Sequence, residues 1–270
     1  MTADPVTAPA ELVTQDDAVL TINVSTAGPG NPLSDPAMLA GAAALREVAR
    51  GEREVGAILL RGPGANFCAG GNVRDFAAAE HRPTFLREIA DCFHAFINAL
   101  HEADRPVVAA VKGWAAGAGM SIVTHADVAI GGSATKMRPA YRGIGLSPDG
   151  GMTWTLPRLV GAARARHIIL TDPVIDAKKA LAWGLLSDVV DDGDVESAAR
   201  SAAEKIAAGP WRADSAAREL LTRSATSTLG DQLAVEAQSI SALSASAEGI
   251  EGVDAFVAKR KPDFATARKA

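Results

Sequence analysis

The chain has 270 residues, which is enough for one large domain or for a domain with an appendage. Hydrophobic residues make up 48% and charged residues 22%, a balance typical of globular proteins. The net charge of −5 argues against a nucleic-acid-binding surface, and two cysteines are too few for a disulfide framework. No apolar run reaches the length of a transmembrane helix, and the N-terminus does not resemble a signal peptide. We therefore expect a cytoplasmic protein without nucleic-acid or membrane partners.

Strand-like and helix-like segments alternate along the first 190 residues or so. Strands are predicted at 18–24, 55–60, 106–111, 127–130 and 185–190. Helices are predicted at 37–50, 83–103, 120–124, 154–170 and 176–183, and the pattern is helical from 195 almost to the end. This order predicts an α/β fold with a helical appendage. We expect a flexible leader over 1–17, a core over 18–192 and a helical region over 193–270.

Two turns rich in glycine and alanine each follow a predicted strand and precede a predicted helix. Their sequences are N-F-C-A-G-G-N at 66–72 and G-W-A-A-G-A-G-M-S at 113–121. Small side chains let backbone N–H groups approach a ligand atom that a bulky Cβ substituent would block. Two converging N–H groups can hold a negatively charged oxygen. The turns therefore predict an oxyanion site.

Other glycine-rich and metal-binding motifs are missing from the sequence. After Gly117 and Gly119, position 122 is Ile, so the dinucleotide motif G-x-G-x-x-G fails. The sequence contains no G-K-[ST], no C-x-x-C and no H-E-x-x-H. We expect neither a metal nor a nucleotide cofactor.

Five segments, in order, resemble the signatures of the crotonase superfamily, also called the enoyl-CoA hydratase/isomerase family. They are F-C-A-G-G at 67–71, K-G-W-A-A-G-A-G-M-S at 112–121, I-G-L-S-P-D-G-G at 144–151 with L-P-R-L-V-G at 156–161, A-L-A-W-G-L-L-S-D-V-V at 180–190, and E-G-V-D-A-F-V-A-K-R at 251–260. The resemblance implies a core of ββα units arranged as a superhelix. It also implies a C-terminal helical region that packs a homotrimer or a dimer of trimers.

The resemblance further implies an acyl-CoA substrate, with no cofactor apart from the CoA that the substrate carries. Its thioester oxygen is expected between the backbone N–H groups of Ala69 and Ala118. Further CoA or substrate contacts are expected at Cys68, Gly70, Gly117, Met120, Trp154, Lys259 and Phe264. For Cys68, a role as a small packed residue is the competing interpretation, because no base is adjacent in sequence.

The two glutamates with which hydratases of this family position water have no counterpart here. One position corresponds to Ser121, and the other to Ala140, or to Tyr141 if the loop shifts by one residue. Asp149 is the carboxylate left in the third signature, where isomerase-like and dehalogenase-like members carry an acidic residue. A single carboxylate can take a proton from one carbon and return it to another, which moves a double bond.

Several interpretations of Asp149 remain open from the sequence. It could instead cap the following helix, or act as a nucleophile toward an aryl halide. The chain could also be a hydratase that uses Asp149 with an atypical water site, or a non-catalytic acyl-CoA-binding subunit. The five histidines are scattered along the chain, and we expect each to be structural or solvated.

Overall fold

The computed structural model describes residues 12–269 and divides the chain into two compact units. The first unit ends at Ala203 and the second begins at Glu204. The sequence had predicted a break near 191–193. The first unit extends further because residues after this break pack into it: Val195 and Ala199 are fully buried, and Glu196 lies 3.5 Å from the Arg61 guanidinium.

The first unit contains two β-sheets. The larger has the strand order β1-β2-β3-β4-β6-β9, in which β1 is antiparallel to β2 and the other neighbours are parallel. The smaller has the order β5-β7-β8. The strands are β1 (Val13–Asp16), β2 (Val19–Asn23), β3 (Ala57–Arg61), β4 (Val107–Val111), β5 (Trp114–Ala116), β6 (Val128–Gly132), β7 (Lys136–Arg138), β8 (Ile175–Asp176) and β9 (Asp188–Val190).

Helices alternate with strands along the first unit. In the first unit they are α1 (Asp35–Ala49), α2 (Val73–Ala78), α3 (Arg82–Glu102), α4 (Ala118–Val123), α5 (Met152–Val160), α6 (Ala162–Thr171), α7 (Ala177–Ala182) and α8 (Val195–Ala207), which runs on past Ala203. The successions β4-β5-α4 and β6-β7-α5 are the expected ββα units.

The two long helices α1 and α3 pack closely against each other. Helix α1 is capped by Ser34, whose Oγ accepts a hydrogen bond from the Ala37 N–H (3.3 Å). Helix α3 turns an apolar face inward, including Phe93 and Phe96, which are almost completely buried. Gly41 makes the approach possible, because a Cβ there would lie 2.9 Å from a ring carbon of Phe96.

The second unit is helical, as predicted, with α9 (Trp211–Ser224), α10 (Leu229–Ser244), α11 (Ala247–Val257) and α12 (Phe264–Ala267). Its buried Glu248 accepts hydrogen bonds from the backbone N–H groups of Trp211 and Arg212, each at 3.1 Å. Arg268 Nη1 lies 2.8 Å from Glu248 Oε1, and its guanidinium stacks on the Trp211 ring. This cluster joins α9, α11 and the C-terminal end.

The main departures from the sequence predictions are short strands and one broken helix. A flexible leader was expected over residues 1–17, but Val13 to Asp16 form β1 and pair with β2. Residues 1–11 lie outside the described part of the chain. The single helix predicted at 154–170 is two helices separated by Gly161, whose φ is +79°. Strands β5, β7 and β8 were not predicted, because two or three residues show no readable alternation.

Candidate active site

Hydrogen bonds join the two glycine-rich turns directly. The Cys68 N–H donates to Trp114 O (3.1 Å), and the Ala116 N–H donates to Cys68 O (2.9 Å). Gly119, at the start of α4, lies so close that a Cβ there would overlap the Cys68 carbonyl. Glycine is therefore required at 119 for the second turn to lie against the first.

The backbone N–H groups that are available to a ligand at these turns include one of the predicted pair, Ala118, but not the other, Ala69. The Ala69 N–H donates to Asn31 O at 3.0 Å, so it is already engaged within the protein. Across residues 12–269, by contrast, the N–H groups of Gly71 and Ala118 meet no protein acceptor. Both residues line the same cavity. The engaged Ala69 N–H therefore argues against its predicted role as an oxyanion donor, whereas the N–H groups of Gly71 and Ala118 are available to a ligand.

The cavity next to these donors is mostly apolar and has a volume of about 260 Å³. Gly70 and Gly117 line it, and their contacts with substrate stay a prediction. Leu146 also lines it. The remaining lining residues are Leu33, Ala69, Gly71, Val73, Phe76, Leu86, Ile89, Ala90, Phe93, Ala118, Ala140, Tyr141, Ile144, Ser147 and Asp149. Among the described residues, Asp149 supplies the one charged side chain at this wall.

The Asp149 carboxylate belongs to the cavity and does not cap a helix. Tyr141 Oη donates a 2.6 Å hydrogen bond to Asp149 Oδ1. Helix α5 begins after Gly151 without any side-chain cap, so the capping interpretation is excluded for this carboxylate. This short hydrogen bond fixes the orientation of the carboxylate at the cavity wall.

Tyr141 remains a hydrogen-bond donor because burial raises the pKa of its phenol well above the ordinary value. The negative charge of Asp149 raises this pKa further. Ser121 completes the cluster: its Oγ lies 3.2 Å from Tyr141 Oη and 3.0 Å from the Asp149 carbonyl oxygen. Ser121 and Tyr141 thus place two hydroxyl groups in contact with Asp149, one at its backbone carbonyl oxygen and one at its carboxylate.

Three other predicted substrate contacts lie away from the cavity. Cys68 is fully buried, and its burial raises the thiol pKa to about 12, which supports the competing interpretation of a packed residue. Met120 is fully buried in the core. Trp154 is 48% exposed on α5, where its ring stacks on the Arg158 guanidinium at 3.8 Å. Within the described residues, none of these three side chains lines the cavity. The prediction that they contact a substrate bound there is therefore wrong.

The two predicted CoA contacts near the C-terminus belong to the second unit. Lys259 is exposed and follows the end of α11. Phe264 starts α12, and its ring faces Gly252 of the same unit. Their contacts with CoA remain a prediction.

Two histidines, expected only to be structural or solvated, contact the backbone beside Asp149. Gly150 N–H donates to His94 Nε2 (3.1 Å), and Gly150 O accepts from His125 Nε2 (2.8 Å). His94 lies on α3 and His125 follows α4, so no local pattern connects either of them with position 150. Only the tertiary fold brings them together.

Within residues 12–269, no group of three His, Cys, Asp or Glu side chains is arranged to hold a metal ion. Over the same residues, no helix is both long and apolar enough to cross a membrane.

Comparison with known proteins gives one consistent family. The family model described as enoyl-CoA hydratase/isomerase matches residues 14–267. A probable enoyl-CoA hydratase of Rhodobacter capsulatus is 40% identical over 217 residues, which are 80% of this chain and 82% of that protein. The 1,2-epoxyphenylacetyl-CoA isomerase of Escherichia coli is 32% identical over 251 residues, which are 92% of this chain and 95% of that protein.

A solved structure agrees with these relatives. The crystal structure of an enoyl-CoA hydratase from Polaromonas sp. JS666 superposes with a TM-score of 0.86 at 31% identity. The match covers 93% of this chain and 97% of that one, which confirms the crotonase-type α/β fold. These matches agree with the five ordered signatures and the two adjoining glycine turns. The chain belongs to the enoyl-CoA hydratase/isomerase family.

Proposed function

We propose that the protein is an acyl-CoA isomerase that moves a C=C double bond through a thioester enolate, with Asp149 as its acid and base. The observation that carries this proposal is a shared cavity. The Asp149 side chain and the unengaged N–H groups of Gly71 and Ala118 line the same apolar space. A base and an oxyanion site are therefore available to one ligand.

The proposed reaction needs no group beyond these. The thioester oxygen accepts hydrogen bonds from Gly71 and Ala118, which stabilise the negative charge that develops when the α-proton leaves. Asp149 removes that proton from C2, and the electron pair shifts into the enolate. The protonated Asp149 then returns the proton to C4, which leaves the double bond conjugated with the thioester. The apolar walls favour an uncharged acyl group and exclude water.

Hydration is the alternative, because the Rhodobacter capsulatus relative is named as a probable enoyl-CoA hydratase. Hydration by the two-glutamate mechanism needs a second carboxylate to position water. Ser121 is fully buried and lies within hydrogen-bonding distance of Tyr141 and Asp149, so it is not directed at the cavity. This arrangement supports isomerisation over hydration.

Two substrates separate these reactions. We expect a 3-enoyl-CoA to gain the ultraviolet absorbance of a conjugated thioester, because isomerisation to the 2-enoyl form creates conjugation. We expect the absorbance of crotonyl-CoA to persist, since hydration would remove it. Rapid loss of crotonyl-CoA absorbance without 3-enoyl turnover would instead establish a hydratase with an atypical water site.

A non-catalytic acyl-CoA-binding subunit is the remaining alternative. Incubation in heavy water distinguishes it, because an enzyme that forms the enolate exchanges the α-hydrogen of a bound acyl-CoA. Absence of exchange with every acyl-CoA that binds would support the non-catalytic subunit.

We further propose that the chain assembles as a homotrimer or a dimer of trimers. The second unit exposes large apolar side chains that water does not favour, among them Leu221, Leu229, Ile240, Val253, Phe256 and Val257. Phe256, for example, is 84% exposed. Light scattering that gives the mass of a single chain, 27.7 kDa, would contradict this assembly.

A further inference from the structure

We propose that His94 and His125 are positioning residues that hold the Gly150 peptide groups from two sides and thereby fix Asp149 for proton transfer. This inference rests on the proposed role of Asp149. It concerns residues that act through the backbone and do not touch the substrate, because neither histidine lines the cavity.

We call the two histidines, together with the N–H and carbonyl groups of Gly150 that they hydrogen-bond, the clamp. The N–H of the Asp149–Gly150 peptide donates to His94 Nε2 at 3.1 Å. The carbonyl oxygen of Gly150 lies 2.8 Å from His125 Nε2. On the other side of the first peptide, the Asp149 carbonyl oxygen lies 3.0 Å from Ser121 Oγ. Three side chains from outside the loop therefore hold consecutive backbone groups.

The partners fix the proton positions on both rings. A backbone N–H can only donate, so His94 must present an unprotonated Nε2 and carry its proton on Nδ1. A carbonyl oxygen can only accept, so His125 Nε2 must carry a proton. His125 Nδ1 then accepts from His101 Nε2, which lies 2.9 Å away. Burial lowers the pKa of His125 to about 4, which keeps the ring neutral, as this chain of hydrogen bonds requires.

The backbone at Gly150 shows why the clamp is needed. Its φ is +59°, a left-handed conformation that glycine adopts readily and other residues rarely adopt. A Cβ at this position would overlap the Phe93 ring, so the loop runs tightly against α3. A glycine with this freedom also has other conformations available. Two histidine hydrogen bonds select the one that presents the Asp149 carboxylate to Tyr141 and the cavity.

A pair of substitutions at position 94 tests the clamp. His94→Leu removes the acceptor for the Gly150 N–H, whereas His94→Gln replaces Nε2 with an amide oxygen that can still accept. His167→Leu, at an exposed position on α6, serves as the control for loss of a histidine. Each variant is compared with the wild type for kcat on the 3-enoyl-CoA, affinity for a saturated acyl-CoA, thermal unfolding, and hydrogen exchange of the 146–153 segment.

We expect His94→Leu to lower kcat by about 10- to 100-fold, since a displacement of about 1 Å at a catalytic group can cost about 100-fold. Its acyl-CoA affinity should stay close to that of the wild type, because His94 does not line the cavity. Exchange at Gly150 should become faster, because its N–H loses its partner. His94→Gln should recover most of the turnover and the protection, and His167→Leu should match the wild type.

Two results would overturn the inference: a folded His94→Leu protein with wild-type kcat and exchange, or a His94→Gln protein as impaired as His94→Leu. Failure of the proposed function has a different signature. In that case the wild type turns over no 3-enoyl-CoA, while the exchange of Gly150 in the two His94 variants still decides whether the clamp exists.

Discussion

The stability of the first unit should depend on the protonation of His125, and the structure sets the size of the effect. Burial, assisted by nearby His101 and opposed by the hydrogen bond to Gly150, lowers the pKa of His125 from 6.5 to about 4. The unfolded chain therefore binds a proton below about pH 6.5, whereas the folded chain resists it until about pH 4. The stability of the folded state that depends on a neutral His125 is fully present above about pH 6.5 and is lost as the pH falls toward 4.

The magnitude follows from the distance between these two pKa values. Each unit of difference corresponds to about 1.4 kcal/mol, so the free energy of unfolding should fall by about 2 kcal/mol between pH 7.5 and 5. The loss should reach about 3 kcal/mol near pH 4.

Urea unfolding at a series of pH values, followed in parallel for the wild type and His125→Gln, measures this dependence. The glutamine amide can still donate to Gly150 O but does not titrate, so other groups contribute equally to both proteins. The wild type should lose about 2 kcal/mol more than the variant between pH 7.5 and 5. Parallel curves for the two proteins would refute a buried neutral His125.

Two further substitutions probe the oxyanion turns and the carboxylate. Gly119→Ala places a Cβ against the Cys68 carbonyl, so it should lower stability by about 2 kcal/mol or more and abolish turnover. Gly193→Ala, in open space, should change stability by less than about 0.5 kcal/mol, and equal melting temperatures for the two would contradict the close approach. Tyr141→Phe removes the 2.6 Å hydrogen bond to Asp149, worth about 1.5–3 kcal/mol, so kcat should fall about 10- to 100-fold. Unchanged kcat would exclude this role for Tyr141.

Sequence patterns were informative where the chemistry is local. The buried strands β3 and β4, the amphipathic helix α3 and the two glycine turns each have a composition that allows few other structures. The first turn also ends in a residue type that caps helices: Asn72 Oδ1 accepts a hydrogen bond from the Arg74 N–H at 3.2 Å, at the start of α2.

The details of the site depend on contacts that no local pattern encodes. Ala69 and Gly71 are small residues of the same turn, and only the position of Asn31 decides which N–H is engaged. Met120 follows the oxyanion turn but points into the core, because a short helix directs neighbouring side chains to different faces. The approach of His94 and His125 to Gly150 likewise depends on how α3 and α4 pack.

The most direct test of the account is the rate of 3-enoyl-CoA isomerisation by Asp149→Asn. Asparagine keeps the size of the side chain and can still accept from Tyr141, but it cannot carry the proton. We predict a loss of at least about 100-fold in kcat, with acyl-CoA affinity and α-helix content preserved. Turnover equal to that of the wild type would show that another group moves the proton, and the proposed mechanism would be wrong.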